Sequence, residues 1–198
     1  MIKGLNKADI YEDLQWIIET KTNSYIKTRP CVFISHKKED KEACRQIAKY
    51  LSNAEIDYYL DENDKELQRA AEINNPHKIT ESIKKGIRNS THMLAVISQK
   101  TYLSQWVPFE IGYGQSAIID NDPNNNNLKL SVLTLEDISE QSLPDYLQIA
   151  NIIRGTKTFN QYISNISNKL EKSLINESRV FSHSNLQHPL DNILNWKL

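Results

Sequence analysis

Short apolar runs separated by stretches of helical periodicity recur along the chain, and this alternation constrains the fold more than any other feature. Cys31-Val32-Phe33-Ile34, Ile56-Asp57-Tyr58-Tyr59-Leu60, His92 to Ser98, Leu128 to Leu133 and Ile149 to Ile153 each have the length and character of a strand. Between them, Ala43, Ile47, Ala48 and Leu51 line one helix, and Ile79, Ile83 and Ile87 a second that stops near Gly86 to Ser90. A third starts between Ser104 and Pro108, since proline is tolerated in a first turn, and runs through Gly112 to about Ile119. Phe159, Tyr162, Ile163, Ile166 and Leu170 line a closing helix. Strands joined through helices require right-handed crossovers and a parallel sheet covered on both faces. The expectation is therefore α/β: a flavodoxin-like doubly wound parallel sheet of about five strands over residues 29–172.

Two extensions flank that unit. In residues 1–28, Ile10, Leu14, Ile17 and Ile18 share a helical face that Asn6 can cap. In residues 173–198, Leu190, Ile193, Leu194 and Trp196 suit either a short docked helix or part of an interface. Asp120 to Asn127, with Asp122-Pro123 and four consecutive asparagines, reads as a loop.

Composition removes whole classes of function. With 24 basic and 25 acidic residues in 198, the net charge of −1 disfavours non-specific attraction to nucleic acid or an anionic membrane. No apolar run is long enough to span a bilayer, and a cytoplasmic location is expected. The two cysteines, Cys31 and Cys44, do not form a Cys-x-x-Cys pair, so neither a disulfide framework nor a zinc site is expected. Five glycines supply neither Gly-x-Gly-x-x-Gly nor a P-loop. A receiver domain would need an aspartate at the end of the third strand, where this chain has Ser98. No His-Glu-x-x-His pattern occurs, and no catalytic metal is expected.

Ligands of doubly wound sheets bind outside the carboxyl ends of the strands. Those ends carry Ser35 to Asp40, Asp61 to Leu67, Ser98 to Trp106 and the loop after Leu133. One constellation stands out: Ser98, Tyr102, Ser104, Trp106 and Glu110, with Gly112 beyond. Trp106 and Glu110 are four apart and share a helix face if the helix has begun by Trp106. Spacing alone leaves two readings open, a catalytic carboxylate beside an aromatic wall, or a core tryptophan with a solvated or salt-bridged glutamate.

Phe33-Ile34-Ser35-His36, Leu60-Asp61-Glu62, Ile97-Ser98 with Tyr102, Ser104 and Trp106, and then Glu110-Ile111-Gly112 resemble, in order and spacing, the successive motifs of a bacterial Toll/interleukin-1 receptor (TIR) domain. The resemblance covers roughly residues 30–170. It implies an enzyme that splits nicotinamide adenine dinucleotide (NAD), with Glu110 catalytic and Ser35, His36, Lys37, Asp61, Ser98, Tyr102 and Trp106 at the substrate. NAD is then substrate, and no cofactor is implied. The resemblance further implies that Asp61 to about Asn75 is a mobile gating loop, although it lacks the proline and glycine often found there, and that TIR surfaces self-associate. The extensions are too short for an effector domain. Likeness to the TIR proteins of Thoeris-type antiviral defence then implies a cyclic or modified ADP-ribose signal, read by a separately encoded effector. The alternatives are a non-catalytic TIR interaction module and a nucleoside deoxyribosyltransferase-like enzyme. His77, His92, His183 and His188 have no motif partner and read as structural or surface residues.

Overall fold

The computed structural model describes residues 3–9, 29–120, 129–136, 138, 143–148, 150–184 and 187–195. Five strands, β1 (Cys31–Ser35), β2 (Asp57–Tyr59), β3 (His92–Ile97), β4 (Leu130–Thr134) and β5 (Asn151–Ile153), form one sheet in the order β2-β1-β3-β4-β5, and every pairing is parallel. The expected doubly wound sheet is present, with tighter strand bounds: Ile56, Leu60 and Ser98 lie just beyond β2 and β3. Leu128, Ile149 and Trp196, the helical face from Ile10 to Ile18 and most of the Asp120–Asn127 loop lie outside the described residues.

Alternating side chains sort the core into two layers, as the period of a strand requires. Val32, Ile34, Leu94, Val96, Leu133 and Ile153 meet α1 (Lys41–Asn53) and α5 (Thr156–Ser167) on one face. Phe33, Met93, Ala95, Ile97 and Val132 meet α3 (Pro76–Arg88) and α4 (Trp106–Gly114) on the other. A π-turn over Gln115–Ile119 prolongs α4 to the expected end. Two glycines record close approaches between layers. A Cβ on Gly86 would lie 2.5 Å from the Tyr59 ring, and one on Gly114 would lie 2.3 Å from Met93 Sδ.

Three expectations are corrected. Asp61 to Asn75 is not an open loop: a 3-10 turn at Asp61–Asn63 leads into α2 (Lys65–Glu72). The cause is local, because Asp64 Oδ1 accepts the Leu67 amide at 2.9 Å, and the residues that follow are mostly good helix formers. Leu170 does not line α5. Asn168 closes that helix in the left-handed region (φ 53), and Leu170 is exposed before a further helix, α6 (Glu171–Asn176), which straddles the 172/173 boundary. Leu190 and Leu194 dock in the core as turns rather than as a helix.

Both ends of the chain are tied to the sheet. Leu5 O accepts the Tyr58 amide, and Asn6 bridges Tyr58 in parallel, covering the free edge of β2. Beneath them the fully buried Asp57 receives Lys7 Nζ at 2.8 Å, Arg29 Nη1 at 3.5 Å and the Leu5 amide at 2.9 Å. At the opposite end, Ile193 O accepts the Glu136 amide and Asn195 O the Thr156 amide.

Candidate active site

The strand order reverses between β1 and β3, and beyond their carboxyl ends the structure has a cleft of about 710 Å3. Its walls come from four places: His36 to Glu39 after β1, Asp61 and Glu62 after β2, Leu67, Gln68 and Ala71 of α2 with Ile79 and Ile83 of α3, and Leu103 to Trp106 before and within α4. Glu110 also lines it.

Glu110 lies in the second turn of α4 and is only 6% exposed. Ser104 Oγ accepts the Val107 amide at 3.2 Å and fixes the first turn of that helix. Val107 and Ile111, both buried, fasten α4 to the core and set the face on which Glu110 points inward. Ser35, the last residue of β1, donates from Oγ to Glu110 Oε2 at 2.6 Å. Burial pushes the Glu110 carboxyl up to about 8, the Ser35 hydrogen bond pulls it back, and the charge of Asp61 pushes it further up. With its value at about 8 the carboxyl holds its proton at neutral pH, and a cation arriving beside it would favour the carboxylate.

Desolvation holds Asp61 above its ordinary value, and the charge of His36 opposes that rise. His36 Nε2 lies 3.8 Å from Asp61 Oδ1, while Nδ1 lies 3.2 Å from Ile34 O. Lys37 is shared with Glu39 at 3.7 Å, and Lys38 at the rim is exposed and forms no ion pair with a described residue. Trp106, 40% exposed, lies edge-on to Phe109 with ring centroids 5.8 Å apart and forms part of the wall. This is the aromatic wall of the two readings left open above, not a core anchor.

The fold therefore brings Ser35, His36, Lys37, Asp61, Trp106 and Glu110 together. Three of the expected substrate residues stand apart from the cleft lining: Ser35 is buried beneath it, bonded to Glu110, and the other two lie further off. Ser98 is buried behind it with its hydroxyl given to Asp40 Oδ2 at 2.6 Å, and Tyr102 is exposed beside it. Leu67 and Ala71 fall within the segment expected to gate the site, whereas their joining Ile79 and Ile83 of α3 in one apolar wall was not anticipated. Its signal was present in the Asp64 cap and the helical spacing of Leu67 and Ala71. Among the described residues, no group of His, Cys, Asp or Glu side chains is arranged to hold a metal ion, and Cys31 and Cys44 are buried free thiols.

Sheet order, cleft and buried carboxylate together define a small doubly wound α/β domain with a cleft at its switch point. The sequence matches the TIR domain family over residues 32–170, and the chain belongs to that family. Among solved structures, the crystal structure of the IL-17 receptor B SEFIR domain is similar, with a TM-score of 0.50 and 11% identity, covering 71% of this chain and 96% of that one. At that identity the likeness is one of fold. No curated protein matches the sequence. No helix among the described residues is long and apolar enough to cross a membrane.

Proposed function

We propose that this TIR domain cleaves the N-glycosidic bond of NAD, with Glu110 as the catalytic carboxylate. The observation that carries the reading is a glutamate buried in the cleft at the β1/β3 switch point and oriented by Ser35. Oxidised NAD carries its leaving group as a cation. When the bond between the ribose C1′ and the ring nitrogen breaks, both electrons go to nitrogen and nicotinamide departs neutral. No general acid is needed, so one carboxylate suffices where a glycosidase uses two. Positive charge grows on the ribose as the bond opens, and a carboxylate in a desolvated site stabilises it strongly. Lys37 and Lys38 suit the pyrophosphate, and Trp106 with the apolar wall suits the rings.

Capture of the ribosyl cation by water releases a proton and yields ADP-ribose. Capture by a ribose hydroxyl or adenine nitrogen held within the cleft yields a cyclised isomer without the added water. The second product would serve as a diffusible signal for a separately encoded effector in antiviral defence. A second reading, a module that acts by binding other TIR domains, draws on the exposed side chains at and beside the cleft, where Leu103 is 80% exposed and Tyr102 and Trp106 are exposed as well. The two are compatible if self-association completes the site.

The test is incubation of purified protein with NAD and, separately, with a deoxynucleoside plus a free base. Nicotinamide release by the native chain, cut by about two or more orders of magnitude in a folded Glu110→Gln variant, is expected. Base exchange alone would mark a deoxyribosyltransferase, and inertness toward both would leave the interaction module.

A further inference from the structure

Asp40 occupies the position just before α1, where an aspartate ordinarily accepts amides of the first helical turn. It does not do so here: its side chain makes no capping bond to α1. Instead, 5% exposed, it turns across the head of the sheet, and Oδ2 accepts Ser98 Oγ at 2.6 Å while Oδ1 lies 3.8 Å from Lys100 Nζ. Ser98 is equally committed. Its Oγ accepts the Lys100 amide at 3.1 Å and its own amide donates to Thr101 Oγ1 at 2.9 Å, which together cap the 3-10 turn Gln99–Leu103. The segment ending at Asp40 carries His36, Lys37 and Lys38 into one wall of the cleft, and the turn begun by Ser98 delivers Leu103 to another. Neither Asp40 nor Ser98 lines the cleft.

We propose that the Asp40–Ser98 pair is a positioning device that sets the separation of the two cleft walls and thereby the affinity for the dinucleotide, without touching it. A local capping bond has been given up for a contact that spans two loops, and that contact is buried, charge-assisted and short. A change of wall spacing acts on binding of the whole substrate. Glu110 is held by its bond to Ser35 and by the core packing of Val107 and Ile111, neither of which involves Asp40 or Ser98, so the chemical step keeps its geometry.

The proposal rests on the NAD-cleaving reading, and the experiment separates the two. Steady-state kinetics with NAD are measured for the native chain, Ser98→Ala, Asp40→Ala, the double variant and Asp40→Asn, with hydrogen exchange of residues 36–40 followed in each without substrate. Each single alanine variant is expected to raise KM about tenfold with kcat changed less than about threefold, consistent with loss of a charge-assisted hydrogen bond. The double variant should be no worse than the worse single one, because both remove the same contact. Asp40→Asn keeps an acceptor and should recover most of the loss. Exchange over residues 36–40 should quicken in both alanine variants. Multiplying effects in the double variant, a fall in kcat at unchanged KM, or unchanged kinetics would overturn the proposal. If the native chain does not cleave NAD, that reading fails on its own, and the tether is judged by exchange: protection of 36–40 unaltered by Ser98→Ala refutes it.

Discussion

Ser35 Oγ donates to Glu110 Oε2 at 2.6 Å, joining the last residue of β1 to the second turn of α4 across 75 residues of sequence. The bond favours the ionised carboxylate against a burial that opposes it. Removing the hydroxyl therefore raises an already high pKa. Ser35→Ala is expected to lower kcat/KM for NAD about tenfold at pH 7 and to move the acidic limb of the pH–rate profile to higher pH. A profile of unchanged midpoint in a folded variant would show that Ser35 does not tune Glu110.

Glu110 also leaves a signature in stability. Its folded pKa, about 8, lies above the ordinary 4.5, so between those values the native state holds a proton that the unfolded chain has lost. Stability from this group is complete below pH 4.5 and lost as pH rises through about 8. Glu110→Gln, which mimics the protonated form at every pH, should gain on the native chain steadily from pH 5 to pH 8.5. Urea midpoints for the two proteins across that range measure the difference, and parallel curves would contradict a buried, protonated Glu110.

His188 works with the opposite sign. The Leu190 amide donates to its Nδ1 at 3.2 Å, so the neutral ring carries its proton on Nε2, which lies 3.0 Å from Tyr50 Oη. Tyr50 in turn donates to Asn160 Oδ1 at 2.9 Å and accepts the Phe181 amide at 2.9 Å. A second proton on His188 would face the Leu190 N–H. Desolvation holds the imidazole below 6.5, with Asp191 opposing and His183 reinforcing the shift. Stability from the neutral ring is present above pH 6.5 and lost as pH falls through the lowered folded value. Hydrogen-exchange protection over residues 179–184 and 187–195, taken relative to the intrinsic rate at each pH, should fall between pH 7 and pH 5.5, and the response should vanish in His188→Gln.

The glycines of α3 and α4 make a paired test of packing. A Cβ on Gly86 would meet the Tyr59 ring at 2.5 Å, and that ring cannot retreat, because it stacks on Phe33 at 5.2 Å and its hydroxyl is bonded to Asp64. Gly86→Ala should destabilise by about 1–3 kcal/mol. Gly112 has nothing within 4 Å of its absent Cβ, so Gly112→Ala should be neutral or stabilising by up to about 1 kcal/mol, the helix preference of alanine over glycine. Thermal melts that move in the same direction would refute the contrast.

Much of this was written in local pattern. The period of Cys31 to Ile34 and His92 to Ile97 declared buried strands, the spacing of Ile79, Ile83 and Ile87 a helix between them, and connectivity then dictated a parallel sheet with its ligand end at Ser35, Asp61 and Ser98. Trp106 and Glu110 fell on one helix face because four residues make about one turn. What spacing could not carry was the direction in which a polar side chain spends its hydrogen bonds. Ser98 and Ser35 each follow an apolar strand, yet Ser35 turns to Glu110 and Ser98 to Asp40. The buried state of Glu110, the wall contributed by α2 and the union of His188 with Tyr50 have the same origin. Each depends on residues distant in the chain being brought together, and burial, which decides whether a carboxylate is an ordinary surface charge or a reactive group, exists only once they have met.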